Sequence, residues 1–291
     1  MKAIKYFLYL FAAVTTLGVL TACDDDEPTG GDVIVLQKGS GDGAVKGLLE
    51  VPELKPSNLF VSHFTKVNGK DVMTYCYEFD RSKFHTHWVA YRFDAITRQR
   101  NHSGRSNAWS DDPALPEAYR VGIGYFTPYD RGHLCPSDDR QYSLEANMQT
   151  FYMSNMSPQD NNLNAGVWLE LEKLVRKCGL TETFADTLYV VKGGTIADGQ
   201  IRTYLHRSSY MQIAVPKYYF TALLSVKDGS YSSIGFLIEH NSANAGKTDL
   251  SEFAMSVDKL ETITGINFFS NLPNTTEDAV EASYVFSKWN I

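Results

Sequence analysis

The string TPYDRGHLCPSDDR, residues 127–140, places His133 directly after Asp130, Arg131 and Gly132. An imidazole ordinarily titrates near neutral pH, so His133 is expected to have its pKa close to the working pH and to take a proton from water. Arg131 supplies a forked cation that suits phosphate oxygens. Gly132 lets the backbone turn sharply enough for base and cation to share a cleft. Some thirty residues on, Asn164 and Glu172 fall in one predicted helix, 161–179. Eight residues at 100° each leave them ~80° apart around the axis, so both can face one neighbour. A neutral amide oxygen beside a carboxylate suits a hard cation that keeps most of its waters, as Mg²⁺ does when it also meets a substrate phosphate.

The elements that must hold these groups are legible from periodicity and turn chemistry. VMTYCYEF (72–79) and THWVAYRFD (86–94) read as strands joined by a short polar link. Residues 101–116 read as a loop rich in Ser, Asn, Gly and Pro. SLEANMQTF (143–151) reads as a short helix with Ser143 as N-cap. Leu163, Val167, Leu171, Leu174 and Val175 mark the apolar stripe of helix 161–179, with Gly179 as its stop. Further strands are expected at 186–195, 212–226 and 232–240, and a closing helix at 256–265 ends on Gly265. Strands and helices without a regular βαβ alternation imply an α+β fold, mainly antiparallel sheet with flanking helices. His85 and His87 alternate along one strand and are expected as packed side chains before a metal pair.

The first residues combine a basic start (MKAIK), an apolar run and LTAC ending at Cys23. This resembles a bacterial lipoprotein signal, which implies a signal peptide over 1–22 and lipid on Cys23. Residues 23–47 are acidic and then Gly-rich and read as a flexible tether, with a reach of about 25–30 Å. Residues 48–291 are long enough for one sizeable core. The formal charge is −7, and −9 without Lys2 and Lys5 of the signal, which argues against binding polyanions by bulk charge. The charge is uneven, however. Residues 81–140 hold nine Lys/Arg against seven Asp/Glu, and 201–220 hold Arg202, Arg207 and Lys217 without an acid. Cys76, Cys135 and Cys178 allow one disulfide with one thiol left over, and their spacing does not suit a structural zinc.

Three motifs in order carry a more specific likeness: DRGH at 130–133, SN-x-x-PQ at 154–159, and LNAGVWLELE at 163–172. Together they resemble the DNA/RNA non-specific endonuclease family, and weaker echoes extend the likeness over nearly all of 50–275. The resemblance implies a ββα-metal site and hydrolysis of phosphodiester bonds in DNA and RNA, with magnesium, or manganese in its place. It implies His133 as general base, Asn164 as the direct protein ligand to the metal, and Glu172 as a carboxylate holding a water on that metal. Asp130 and Arg131 complete the turn, Asn155 supports the site, and Arg105, in GRSNAWSDDP, is the second phosphate-binding arginine. Indifference to the sugar follows if contacts go to phosphates. Trp109, Tyr125, Tyr129, Tyr204 and Tyr210 are candidates for base stacking, with rim packing as the plainer reading. A membrane partner is expected through lipid on Cys23, at the outer membrane of the cell envelope. The alternative is a catalytically silent lipoprotein that binds nucleic acid or a surface partner on the same fold.

Overall fold

The computed structural model describes residues 34–36, 47–244 and 246–289. The signal-peptide and lipidation expectations for residues 1–23 lie outside the described residues. Eight strands form one wholly antiparallel sheet in the order β1(Ile34–Leu36), β2(Leu59–Val67), β3(Lys70–Asp80), β4(His85–Phe93), β7(Thr187–Gly194), β10(Tyr218–Lys227), β11(Ser230–Glu239), β12(Ala254–Met255). Two small antiparallel pairs complete the strands, β5(Asp130–His133) with β6(Met156–Gln159) and β8(Ile201–His206) with β9(Gln212–Pro216). With the helices described below, this is the α+β arrangement expected from the sequence.

Local chemistry explains the joints. The β2–β3 and β10–β11 hairpins turn on Asn68-Gly69 and Asp228-Gly229, all four with positive φ. That is the two-residue turn whose twist matches antiparallel strands, and Asn-Gly and Asp-Gly are its preferred sequences. Helix α1(Leu144–Gln149) starts at Ser143, whose side chain accepts from Ala146 N. Helix α4(Val257–Thr264) starts at Ser256, which accepts from Lys259 N, and stops at Gly265 in the left-handed region.

Alternation along the central strands sorts side chains to two faces. Tyr75, Tyr77 and Phe79 of β3 and Val89, Tyr91 and Phe93 of β4 pack with Trp168, Leu171 and Val175 of helix α3(Val167–Leu180). Cys76, Trp88, Ala90 and Phe220 point the other way and pack with Val257 and Leu260 of α4. Helix α5(Asn274–Glu281) lies beside α4, its Val280 carbonyl accepting from Ser233 Oγ of β11. Helices thus cover both faces, and α3 occupies the face opposite α4.

The structure changes several readings of the sequence. The predicted helix 161–179 is broken: α2(Asn161–Asn164) ends before Gly166, which is non-helical (φ −107°, ψ −121°) and caps α3. A Cβ at Gly166 would lie 2.2 Å from the Asn162 carbonyl oxygen, so the chain turns there because glycine permits it. Gly179 is no stop but sits inside the last turn of α3, where a Cβ would come within 2.3 Å of Phe93 Cδ2. The predicted strand 212–226 divides at Lys217, since Pro216 cannot donate to a ladder and packs against Gly194. The described thiols form no disulfide: Cys76, Cys135 and Cys178 are free and buried. Within the stretch read as a tether, Ile34–Leu36 pair with β2 as an edge strand.

Gly179→Ala tests the helix–sheet contact. Alanine is the better helix former, yet the added methyl meets Phe93, so urea unfolding is expected to show a loss of ~1–3 kcal/mol. A gain in stability would mean that α3 does not press on β4 through this glycine.

Candidate active site

His133 ends β5, whose register pairs it with Met156, and pairs Gly132 with Ser157, of β6. A Cβ on Gly132 would lie 2.1 Å from Gln159 Oε1, so the Gln159 side chain lies over position 132 in space that a glycine leaves open. The backbone beyond His133 is clamped by Asn155, which is fully buried. Its Oδ1 accepts from Cys135 N at 2.8 Å, and its Nδ2 donates to the carbonyls of Cys135 (2.9 Å) and Thr150 (2.7 Å). Asn155 is therefore a positioning residue, as a support for the turn should be. Trp168 Nε1 donates to the His133 carbonyl at 3.4 Å and ties the turn to α3.

The β5–β6 pair is fastened to the large sheet by buried side chains. His85 Nε2 and Ser157 Oγ lie 2.7 Å apart, and the Tyr219 hydroxyl lies 2.7 Å from both Ser157 Oγ and the Pro158 carbonyl. His87 pairs with Glu78 at 3.1 Å. The two histidines of β4 thus take separate partners in the core.

Asn164 reaches the same place from α2. Its Nδ2 donates to Asp130 Oδ2 at 3.1 Å, and Asn161 Nδ2 donates to the same oxygen at 2.9 Å. With its NH₂ committed to Asp130, the Asn164 amide keeps its carbonyl oxygen as a free acceptor. The helix itself is set by His240. Its Nε2 accepts from Asp160 N at 2.8 Å while its Nδ1 donates to the Pro216 carbonyl at 2.9 Å, which defines a neutral tautomer. Burial lowers the pKa of His240 and favours that neutral form.

His133, Asn164, Glu172, Arg105, Arg131 and Asp130 all line one cleft of about 640 Å³, together with Trp109, Tyr129 and Arg176. The broken helix does not separate Asn164 from Glu172, but their common facing comes from the packing of α2 and α3 and not from one continuous helix. Asn155 alone of the expected residues is behind the wall. The Arg131 guanidinium lies 3.9 Å from the centre of the Trp109 ring, and no acceptor among the described residues takes its N–H donors. One face of Trp109 is therefore covered by an arginine. Arg105 sits over Phe151 at 5.0 Å, and its Nη1 donates to Ser137 Oγ at 3.4 Å. Tyr210, 71% exposed, lies beyond the cleft lining.

Two cations here were not anticipated from the sequence. Lys192 of β7 has 0% exposure, with Nζ 4.4 Å from the Trp168 ring centre and 3.4 Å from Glu172 Oε1. A lysine in the apolar run YVVKGG was the available signal, because a fully buried lysine needs a partner. Arg176, one turn beyond Glu172, donates to Asp139 Oδ1 at 2.8 Å. Burial raises the Glu172 pKa, and Lys192 acts against that rise.

The electrostatics of His133 differ from expectation. The ring is 8% exposed and packs against Phe151 and Trp109 at 5.1 and 5.6 Å. Nε2 is buried and has no hydrogen-bond partner among the described residues. Burial, then the charges of Arg105, Lys192 and Arg131, push its pKa down to about 3 instead of leaving it near neutrality. The imidazole is accordingly neutral at any ordinary pH. The donor set around it fits a hard cation: a free amide oxygen on Asn164 and a carboxylate on Glu172, in a polar cleft roomy enough for the ion's waters.

Comparison with known proteins agrees with this geometry. Residues 55–275 match the DNA/RNA non-specific endonuclease family. The chain is 30% identical over 204 residues to the mitochondrial nuclease EXOG of Danio rerio, covering 67% of this chain and 58% of that protein. It is 29% identical over 197 residues to mitochondrial nuclease 1 of Schizosaccharomyces pombe (63% and 61%) and 31% identical over 176 residues to nuclease C1 of Cunninghamella echinulata (58% and 68%). The matches thus span about three-fifths of the length of the two mitochondrial relatives. The fold superposes on a crystal structure of the EndoG/EndoGI complex with a TM-score of 0.57 at 19% identity, covering 74% of this chain and 88% of that one. The match over residues 55–275, with DRGH on the antiparallel β5–β6 pair and Asn164 at the end of α2, makes this chain a member of the DNA/RNA non-specific endonuclease family.

Proposed function

We propose that the protein is a metal-dependent endonuclease that hydrolyses phosphodiester bonds in DNA and RNA, with His133 as the base that activates water. One observation carries the reading. A buried, neutral imidazole without a protein partner shares its cleft with a free amide oxygen, a carboxylate and two arginines whose donors can reach an anion.

His133 accepts a proton from the attacking water as that water closes on phosphorus. Arg131, held flat on Trp109, and Arg105 offer donors to the non-bridging oxygens as negative charge builds. Asp130 keeps the Asn164 amide turned so that its oxygen faces the cleft, and Glu172 adds a carboxylate beside it. These two residues would hold magnesium or manganese, which when bound supplies Lewis-acid stabilisation of charge on the phosphate and the leaving oxygen. A bound phosphodiester offsets the surrounding positive charge and raises the proton affinity of His133 when the base is needed. The same proposal places the domain at the outer membrane through lipid on Cys23, supported by the residues that precede that cysteine.

Purified protein is expected to cleave plasmid and RNA in Mg²⁺ and to stop in EDTA; intact substrate under Mg²⁺ would sink the assignment. His133→Ala should lower kcat by ~10²–10⁴-fold with metal affinity preserved. Asn164→Ala should weaken metal affinity and turnover together. Parental rates in either variant would remove that residue from its role.

The pH profile gives a separate check. The neutral form of His133 is the active one, and its pKa is lowered, so the acid limb of kcat/KM moves down from 6.5 towards about 3. Activity is expected to hold between pH 7 and pH 5. A tenfold fall per pH unit beginning at 6.5 would identify a base in an ordinary solvated setting and exclude this imidazole. Metabolic labelling with a radioactive fatty acid should mark the chain and be lost in Cys23→Ser; label that survives the substitution would refute the anchor.

A further inference from the structure

A second constellation of acids lies on the opposite face of the sheet from the cleft, where α4 and α5 pack. Asp258 and Glu261 stand three residues apart on α4, so they project from one side of it, and Glu281 ends α5. One carboxylate oxygen from each comes within 4.8 Å of the other two. That span is the diameter of a Ca²⁺ coordination sphere, whose oxygens lie about 2.3–2.6 Å from the ion.

Proximity of acids alone would mean little, but Glu281 adds an independent sign. It is only 2% exposed, and its Oε1 is shut away from solvent with no hydrogen-bond partner. A buried carboxylate oxygen normally has a donor, and here neither Lys nor Arg forms an ion pair with any of the three acids among the described residues. The charged side chains that act on Glu281 are all acidic: Glu261, Glu277, Asp258 and Asp278. Glu261 spends Oε1 on Phe268 N at 2.6 Å, which fixes its side chain against the loop after α4. Asp258 is exposed and leaves a path for an ion to enter.

We infer that Asp258, Glu261 and Glu281 form a calcium site that joins α4 to α5, separate from the cleft. Calcium suits it because it accepts irregular sets of carboxylate oxygens completed by water, whereas magnesium demands a tight octahedron at 2.0–2.1 Å. Bound there, the ion supplies the positive charge that this corner of the protein lacks. It also fastens the last helix to the sheet, since α4 and α5 both pack on β11.

The test uses EDTA-stripped full-length protein carrying Asn164→Ala, so that the cleft does not contribute. Calorimetric titration with CaCl₂ is expected to show one ion per chain and a rise in Tm of several degrees, with MgCl₂ producing a smaller shift. Adding Glu281→Gln should abolish both signals. Should that variant fail to fold, Asp258→Asn, at an exposed position, should weaken Ca²⁺ binding at least tenfold while the protein remains folded. Absence of Ca²⁺ binding in the Asn164→Ala protein, or equal binding after Glu281→Gln, would overturn the site. Equal shifts from Mg²⁺ and Ca²⁺ would overturn the choice of calcium.

Discussion

A fully buried ammonium, that of Lys192, sets the electrostatics on which the cleft depends. An unpaired charge in such a place costs several kcal/mol, so its neighbours are constrained. Glu172 must stay within reach of it, Trp168 must offer its ring face, and His133 must live beside it as a neutral imidazole. The consequence runs in both directions. Lys192 adds positive charge beside the cleft in a chain whose formal charge is −7, and its pairing gives Glu172 a structural part. Removing the Glu172 carboxylate would strand the ammonium, so a loss of activity at that position mixes folding with catalysis.

The cleft separates two kinds of polar group. Asn155, Asp130 and His240 have their hydrogen bonds taken up by backbone or neighbouring side chains, and they fix the strand turn and the start of α2. His133 Nε2 and the Arg131 guanidinium have no hydrogen-bond partner among the described residues. Groups with saturated partners hold position, and groups without partners are free for a ligand. The division matters because a catalytic constellation works only when its members cannot drift from productive geometry.

Much of this was legible in the sequence. Strand alternation, serine caps and Gly265 read out as local rules predict, since each depends on a few adjacent residues. Asn68-Gly69 and Asp228-Gly229 were equally plain signals for the hairpins that flank β3 and β10. The misreadings concern contacts made at a distance. Gly166 interrupts a helix whose apolar stripe runs on through it, and Gly179 is small because Phe93, far away in sequence, occupies the space. The pKa of His133 depends on Arg105 and Lys192, one from a loop and one from a central strand. Lys192 itself could have been suspected from its apolar company, but nothing in the one-dimensional pattern says which acid it meets.

The three unpaired sulfhydryls among the described residues have a practical use. Cys76 lies on β3 and faces α4, Cys135 follows the DRGH turn, and Cys178 lies on α3, where its Sγ donates to the Trp289 carbonyl. Burial pushes the thiols of Cys135 and Cys178 up to about 12, and that of Cys76 well above its usual range, so none is a nucleophile while the layers stay closed. Alkylation of Cys76 therefore clocks the opening of the α4 face, and alkylation of Cys135 or Cys178 that of the α3 face, giving native reporters of local unfolding that need no engineered label.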